Sequence, residues 1–137
     1  MTDINYNLLK VVSQALSVTP TDIQMPPEDL PGMLTIAQNH SILPLVCEGI
    51  IKNRSIEIAP DIKEKVFKCV LFDQMQTNAL QAIEAAFLQN KIDYMLLKGA
   101  SIKSLYQKSE MRLMGDIDIL IKEEQYADIC PIMEKLG

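Results

Sequence analysis

Apolar positions along this chain follow one spacing up to about residue 90 and another after it. Over 5–17 they recur at Leu8, Leu9, Val11, Val12, Ala15 and Leu16, the spacing of a helix with a broad buried face. The next stretch carries Pro20, Pro26, Pro27 and Pro31. Each proline fixes its own φ and removes a donor, so a loop is predicted there. A short helix is predicted over 31–39. Another follows Ser41 as N-cap and carries Leu43, Leu45, Val46, Ile50 and Ile51 until Asn53-Arg54-Ser55 breaks it. The clearest helix is announced by Pro60, Asp61 and Glu64, a start signal with an acid at the cap and a glutamate three places on. Ile62, Val66, Val70, Met75, Ala79, Ile83 and Phe87 carry it to about Gln89. Val66, Phe67, Val70, Leu71 and Phe72 make its first half apolar on most sides, which predicts a place at the centre of the core.

After Asn90 short runs replace long periods. The run from Ile92 to Leu97 ends at Lys98-Gly99 and suits a buried strand. A helix is predicted over 100–106, a polar connection over 109–115, and a second strand over 116–121, where β-branched residues gather. The last helix, 123–136, would turn Tyr126, Ile129, Cys130, Ile132 and Met133 inward, with Pro131 implying a kink. Two strands alone make a marginal sheet, so the long helix over 61–89 is expected to cover it. The chain thus divides at the change of texture into a helical region, 1–90, and a strand–helix–strand–helix region, 91–137, an α+β organisation.

Composition narrows the function classes. The 137 residues are 48% hydrophobic and 23% charged, which suits one folded globular domain. A net charge of -5 gives no electrostatic footprint for sequence-independent nucleic-acid binding and argues against a nucleic-acid partner. Lys98, Lys103, Lys108 and Arg112 nevertheless cluster in sequence. Cys47, Cys69 and Cys130 are odd in number and widely spaced. They predict reduced core residues of a cytoplasmic protein rather than a disulfide framework or a zinc site. The N-terminal residues carry no signal-peptide pattern, and no apolar run approaches the roughly 20 residues a bilayer span needs.

Asp116 and Asp118 are the residues that carry chemistry. Two places apart in a strand, they would share a face with Cα atoms roughly 7 Å apart, while Ile117 and Ile119 face the core. Carboxylates held this close repel unless a cation or proton lies between them. Mg²⁺ or Mn²⁺, which take one or two carboxylates together with substrate phosphates, would suit them. The plain alternative is a strand end whose acids face water.

The surrounding residues add to this. Leu96-Leu97-Lys98-Gly99-Ala100 is followed, after a helix and a connection, by Met111-Arg112-Leu113-Met114-Gly115-Asp116-Ile117-Asp118-Ile119-Leu120. The combination resembles the nucleotidyltransferase superfamily that includes DNA polymerase β, and more closely the bacterial group of uncharacterised nucleotidyltransferases. The likeness covers about 91–137, and the Ala37 and His40 spacing is similar in kind. It implies a helical N-terminal region packed on a partial nucleotidyltransferase α/β core. It also implies a nucleoside triphosphate as substrate, and metal ions held by Asp116 and Asp118. Gly99 would let the backbone approach the triphosphate and Ser101 would supply a hydroxyl. Lys98 would contact a phosphate and Arg112 would steady the phosphate or the acid pair; the plain alternatives are a solvated Lys98 at a strand end and an Arg112 ion pair with Asp116 or Asp118. The superfamily usually shows Gly-Ser or Gly-Gly where this chain has Gly99-Ala100. Its third carboxylate comes from a later strand, so the core is expected to be truncated at Gly137.

The leading expectation is therefore metal-dependent transfer of a nucleoside monophosphate from a triphosphate to an unidentified acceptor. Two others stand beside it. One is a non-catalytic fragment or interaction module that self-associates through an exposed edge after strand 116–121. The other is a toxin–antitoxin component of nucleotidyltransferase type.

Overall fold

The computed structural model describes residues 3–19, 23–53 and 56–136. Its elements run α1 (Ile4–Leu16), α2 (Asp29–Asn39), α3 (Leu43–Lys52), α4 (Pro60–Gln89), β1 (Tyr94–Leu96), α5 (Lys98–Ile102), β2 (Ile119–Ile121) and α6 (Tyr126–Leu136), with short 3-10 turns between β1 and α6. The fold is α+β, dominated by helix. Contacts divide it into two compact units: Met1–Val70 with Tyr106–Leu113, and Leu71–Leu105 with Met114–Gly137.

In the first unit α1 starts where the Asp3 carboxylate accepts the Asn5 N–H, satisfying one of the donors a helix start leaves over. Its C-terminal carbonyls are held by Lys52, whose ammonium donates to Ala15 O at 2.7 Å and Ser17 O at 3.0 Å, a cation at the negative helix end. The core joins Leu8 and Val11 of α1, Met33, Leu34 and Ala37 of α2, Val46, Cys47 and Ile50 of α3, and Ile62 of α4. A buried polar pair crosses it, with Asn7 Nδ2 donating to Asp29 Oδ2 at 2.7 Å. The predicted loop is tied down by Asn53, whose side chain both donates to and accepts from the Ile23 backbone. Met111, on the 3-10 turn Ser109–Met111, packs with Ala15 and Leu45 and so anchors the 106–113 segment in this unit.

Helices α1 and α3 approach closely at Gly49, where a Cβ would run into the Val11 carbonyl oxygen and lie 2.8 Å from Val11 Cγ1. Backbone cannot give way as a side-chain tip can. Gly49→Ala is expected to lower stability by about 1–3 kcal/mol through overpacking, read as a lower urea midpoint at unchanged m. A midpoint within error of wild type would show that the two helices separate freely.

Several sequence expectations shift. Helix α2 begins at Asp29 rather than Pro31, because a proline within the first turn lacks only an N–H that would have no partner there. Ser41 does not cap α3. It has φ 55°, donates its N–H to Gln38 O, and Ile42 N–H bonds to Ala37 O. That is the Schellman ending of α2, and α3 begins from Ile42 with no side-chain cap. The first half of α4 is not central: Phe67, Leu71 and Phe72 are each about half exposed. Of the cysteines, only Cys47 is buried; Cys69 is half-buried and Cys130 exposed. Burial pushes the Cys47 thiol up to about 11, with Cys69 adding to the shift.

In the second unit the C-terminal part of α4 covers the sheet, as the spacing predicted. Phe87 and Ile92 are buried with Ile132 of α6, and Ile83, Tyr94, Ile119 and Ile121 pack around them. The chain leaves α4 through a second Schellman ending, with Lys91 at φ 55°, Lys91 N–H on Leu88 O and Ile92 N–H on Phe87 O. Strands β1 and β2 pair antiparallel, with Tyr94 opposite Ile121, Met95 opposite Leu120 and Leu96 opposite Ile119. Tyr94, Leu96, Ile119 and Ile121 are half-buried, while Met95 and Leu120 are exposed, the period-two alternation of a one-sided sheet. The predicted last helix starts as a 3-10 turn, Glu123–Gln125, before α6. Only Ile132 of its expected inward residues is fully buried, and Tyr126, Cys130 and Met133 face out. With one short sheet to cover, α6 has only a narrow stripe to bury.

Candidate functional site

Lys98 and Asp118 meet where β1 ends. Lys98 has φ 44°, which ends the extended run, and α5 starts at that residue. This sets the length of β2 as well. Strand was expected over 116–121, but β2 begins at Ile119, because β1 offers no partner beyond Leu96 except one further bond. In that bond Leu97 N–H donates to the Asp118 carbonyl at 3.0 Å. Asp118 is thus fixed by its backbone opposite Leu97, one step past the paired register, and Asp116 lies in the unassigned segment leading to it.

That placement sets Asp118 beside Lys98. Lys98 Nζ lies 2.8 Å from Asp118 Oδ2, with the lysine side chain 75% exposed and the aspartate 32%. The hydrogen bond to Asp118, then its charge, holds the Lys98 ammonium above the usual lysine range, and the charge of Asp116 adds to this. Asp116 itself is exposed. The structure therefore brings Lys98 and Asp118 into contact and sets Asp116 within electrostatic reach of the same ammonium.

Gly99 serves a packing need at this turn. A Cβ there would lie 2.8 Å from Met114 Cγ and 3.0 Å from Met114 Sδ, so the missing side chain makes room for buried Met114. Ser101 is exposed on α5. The predicted helix 100–106 is instead the five residues of α5 followed by a 3-10 turn, Lys103–Leu105. Arg112 belongs to the first unit, where its guanidinium donates to the adjacent Leu113 carbonyl at 2.8 Å. His40 is exposed at the C-cap of α2. Among the described residues, no group of three or more His, Cys, Asp or Glu is placed to hold a metal ion.

Two helix residues that sequence reasoning passed over hold the segments flanking this turn. Asp73 of α4 forms a buried ion pair with Lys103, just after α5. One helical turn on, Gln76 Nε2 donates to the Met114 carbonyl at 3.1 Å, just before Gly115-Asp116. Asp73 and Gln76 are three apart and so share a face of α4. They grip the segment that follows Gly99 and the one that precedes Asp116. An available signal was a lone carboxylate directly after the apolar run Val70-Leu71-Phe72, because a buried charge there needs a partner. Its partner, thirty places on, leaves no mark in the local pattern.

Chemically, the site offers two carboxylates in the segment that leads into β2, one of them already holding a cation, next to a tight turn. Hard oxygen donors of this kind fit a small divalent ion that takes its remaining ligands from water and phosphate. The outer sheet face at Met95 and Leu120, bordered by the Asp93–Lys122 ion pair, forms a separate shallow hollow of about 210 Å³. No described helix is long and apolar enough to cross a membrane.

Compared with known proteins, residues 26–137 match a family described as uncharacterised nucleotidyltransferase. No curated protein and no solved structure matches the chain.

Proposed function

Because the chain belongs to the uncharacterised nucleotidyltransferase family, we propose that it transfers a nucleoside monophosphate from a nucleoside triphosphate to an acceptor hydroxyl, with Asp116 and Asp118 as ligands of a divalent ion, Mg²⁺ or Mn²⁺. The observation that carries this reading is the cation already seated on Asp118: the Lys98 ammonium, 2.8 Å from Oδ2 and within the field of Asp116. In the reaction the acceptor oxygen bonds to the α-phosphorus. The bond from that phosphorus to the bridging oxygen breaks, pyrophosphate leaves, and the hydroxyl proton passes to solvent. A divalent ion held by the acid pair would supply charge neutralisation for the triphosphate and the attacking oxygen.

The chain's own residues divide the remaining work. Asp118, fixed by its backbone bond to Leu97, holds its carboxylate at a constant place beside the turn. Lys98, with an exposed side chain, reaches a phosphate oxygen as a point charge. Ser101 offers a hydroxyl on the exposed side of α5. The family resemblance gives Gly99 the role of letting the backbone approach the triphosphate. The acceptor is a hydroxyl-bearing molecule other than nucleic acid, given the net charge of -5, and the protein acts in the cytoplasm.

Calorimetric titration with ATP, GTP, CTP and UTP tests this. At least one is expected to bind in the presence of Mg²⁺ and to lose most of its heat with EDTA or in Asp116→Ala. If none binds, or if Asp116→Ala binds as wild type does, the assignment fails. The exposed Met95 and Leu120 on the outer sheet face favour a second reading, an interaction module. A chain that binds no nucleotide and sediments as a dimer would support that reading instead.

A further inference from the structure

Three described residues other than glycine adopt left-handed backbone: Ser41, Lys91 and Lys98. The first two close Schellman endings, where that conformation satisfies the last carbonyls of a helix. Lys98 is different, because it stands at the start of α5, directly after the extended Leu97. A residue with a Cβ is disfavoured in this region. Glycine would be at ease there, yet the glycine of this turn is one place later, at Gly99, where it accommodates Met114. The turn does give Lys98 a direction: the side chain runs through solvent, 75% exposed, and its ammonium comes to rest on the carboxylate of Asp118.

We propose that Lys98 is a tethered counter-ion that competes with the divalent ion for Asp118 and releases it when a triphosphate offers the ammonium other oxygens. This rests on the reading of Asp116 and Asp118 as metal ligands. The physical argument is short. An ammonium and a divalent ion repel each other, and both cannot take the same face of one carboxylate at contact distance. Without nucleotide, the ion must first displace the lysine. With nucleotide present, the phosphate oxygens accept the ammonium and free the carboxylate in the same event. Metal and triphosphate then bind as a coupled pair, each tightening the other by the same factor. Asp118 stays neutralised between encounters, and binding of metal alone is held down.

The test uses Mn²⁺ alone. Free Mn²⁺ is followed by electron paramagnetic resonance as the full chain is titrated at low ionic strength, without nucleotide. Wild type is compared with Lys98→Met, Asp118→Asn and the double variant. Lys98 is exposed, so its replacement leaves the fold in place, and thermal melts of each variant check this. Lys98→Met is expected to bind Mn²⁺ about fivefold more tightly than wild type, the scale of an exposed ion pair under weak screening. The gain should vanish in the double variant. Equal affinity of wild type and Lys98→Met, with both lost on Asp118→Asn, would overturn the competition and leave the metal site standing. Mn²⁺ binding that ignores Asp118 in every variant would overturn the metal assignment and the competition with it.

Discussion

Asp118→Asn is expected to reduce pyrophosphate release from a nucleoside triphosphate roughly a hundredfold to a thousandfold in the presence of Mg²⁺. Metal-based charge stabilisation in phosphoryl transfer contributes several kcal/mol, and each factor of ten in rate corresponds to about 1.4 kcal/mol. The substitution keeps size and shape and removes the charge. The structure indicates why it should leave the fold alone. Asp118 is held by its carbonyl, which accepts the Leu97 N–H at 3.0 Å, and an asparagine keeps that bond. The side chain contributes the ion pair to Lys98, whose lysine end is exposed, and exposed pairs contribute little to stability. Rate and stability therefore separate: a large loss of turnover with a melting temperature near wild type. Pyrophosphate release can be followed with water as acceptor until a better one is found. Turnover of the variant within threefold of wild type would remove Asp118 from the reaction.

Lys103→Met is expected to destabilise the protein by about 3–5 kcal/mol, measured as the shift in urea unfolding. Lys103 and Asp73 are both buried and form an ion pair. Removing one partner leaves the other charged in a poorly solvated place, which is the costly outcome. The pair itself is a weaker source of stability, because two charges were desolvated to make it. Asp73→Leu with Lys103→Met should therefore recover most of the loss, and that recovery separates a stranded charge from lost packing. A single-variant cost below about 1 kcal/mol would mean that water reaches Asp73 and relieves it. The same experiment bears on function, since Asp73 and Gln76 hold the segments on either side of the acids. A double variant that is stable yet binds triphosphate weakly would mark the ion pair as a positioning device rather than a staple of the core.

These two predictions draw on residues of different legibility. Asp118 was readable from the chain because a motif is local. The acids stand two places apart in a β-branched run, and Lys98-Gly99 precedes them by a helix and a connection. The buried pairing of Asp73 was not readable. Its partner Lys103, and the Met114 carbonyl held by Gln76 at 3.1 Å, are brought to α4 only by the folding of β1, α5 and the loop between the strands.

The sequence by itself determined where helices form, where strands form and in what order, because helical and extended periodicities are properties of neighbours in the chain. It therefore placed α1, α4 and both strands near their observed positions, although β2 starts later than expected, at Ile119. It also determined the family, through residues close together in one stretch. The tertiary structure alone decided three things. It set the antiparallel register that puts Asp118 opposite Leu97. It turned Ser41 into the left-handed end of α2 instead of the cap of α3. It left Phe67, Leu71 and Phe72 half exposed on a helix that its composition had placed at the centre. The physical reason is common to all three. Burial, register and charge pairing depend on which distant surface arrives opposite a residue, and a one-dimensional pattern specifies what a residue can bury or bind without specifying what meets it.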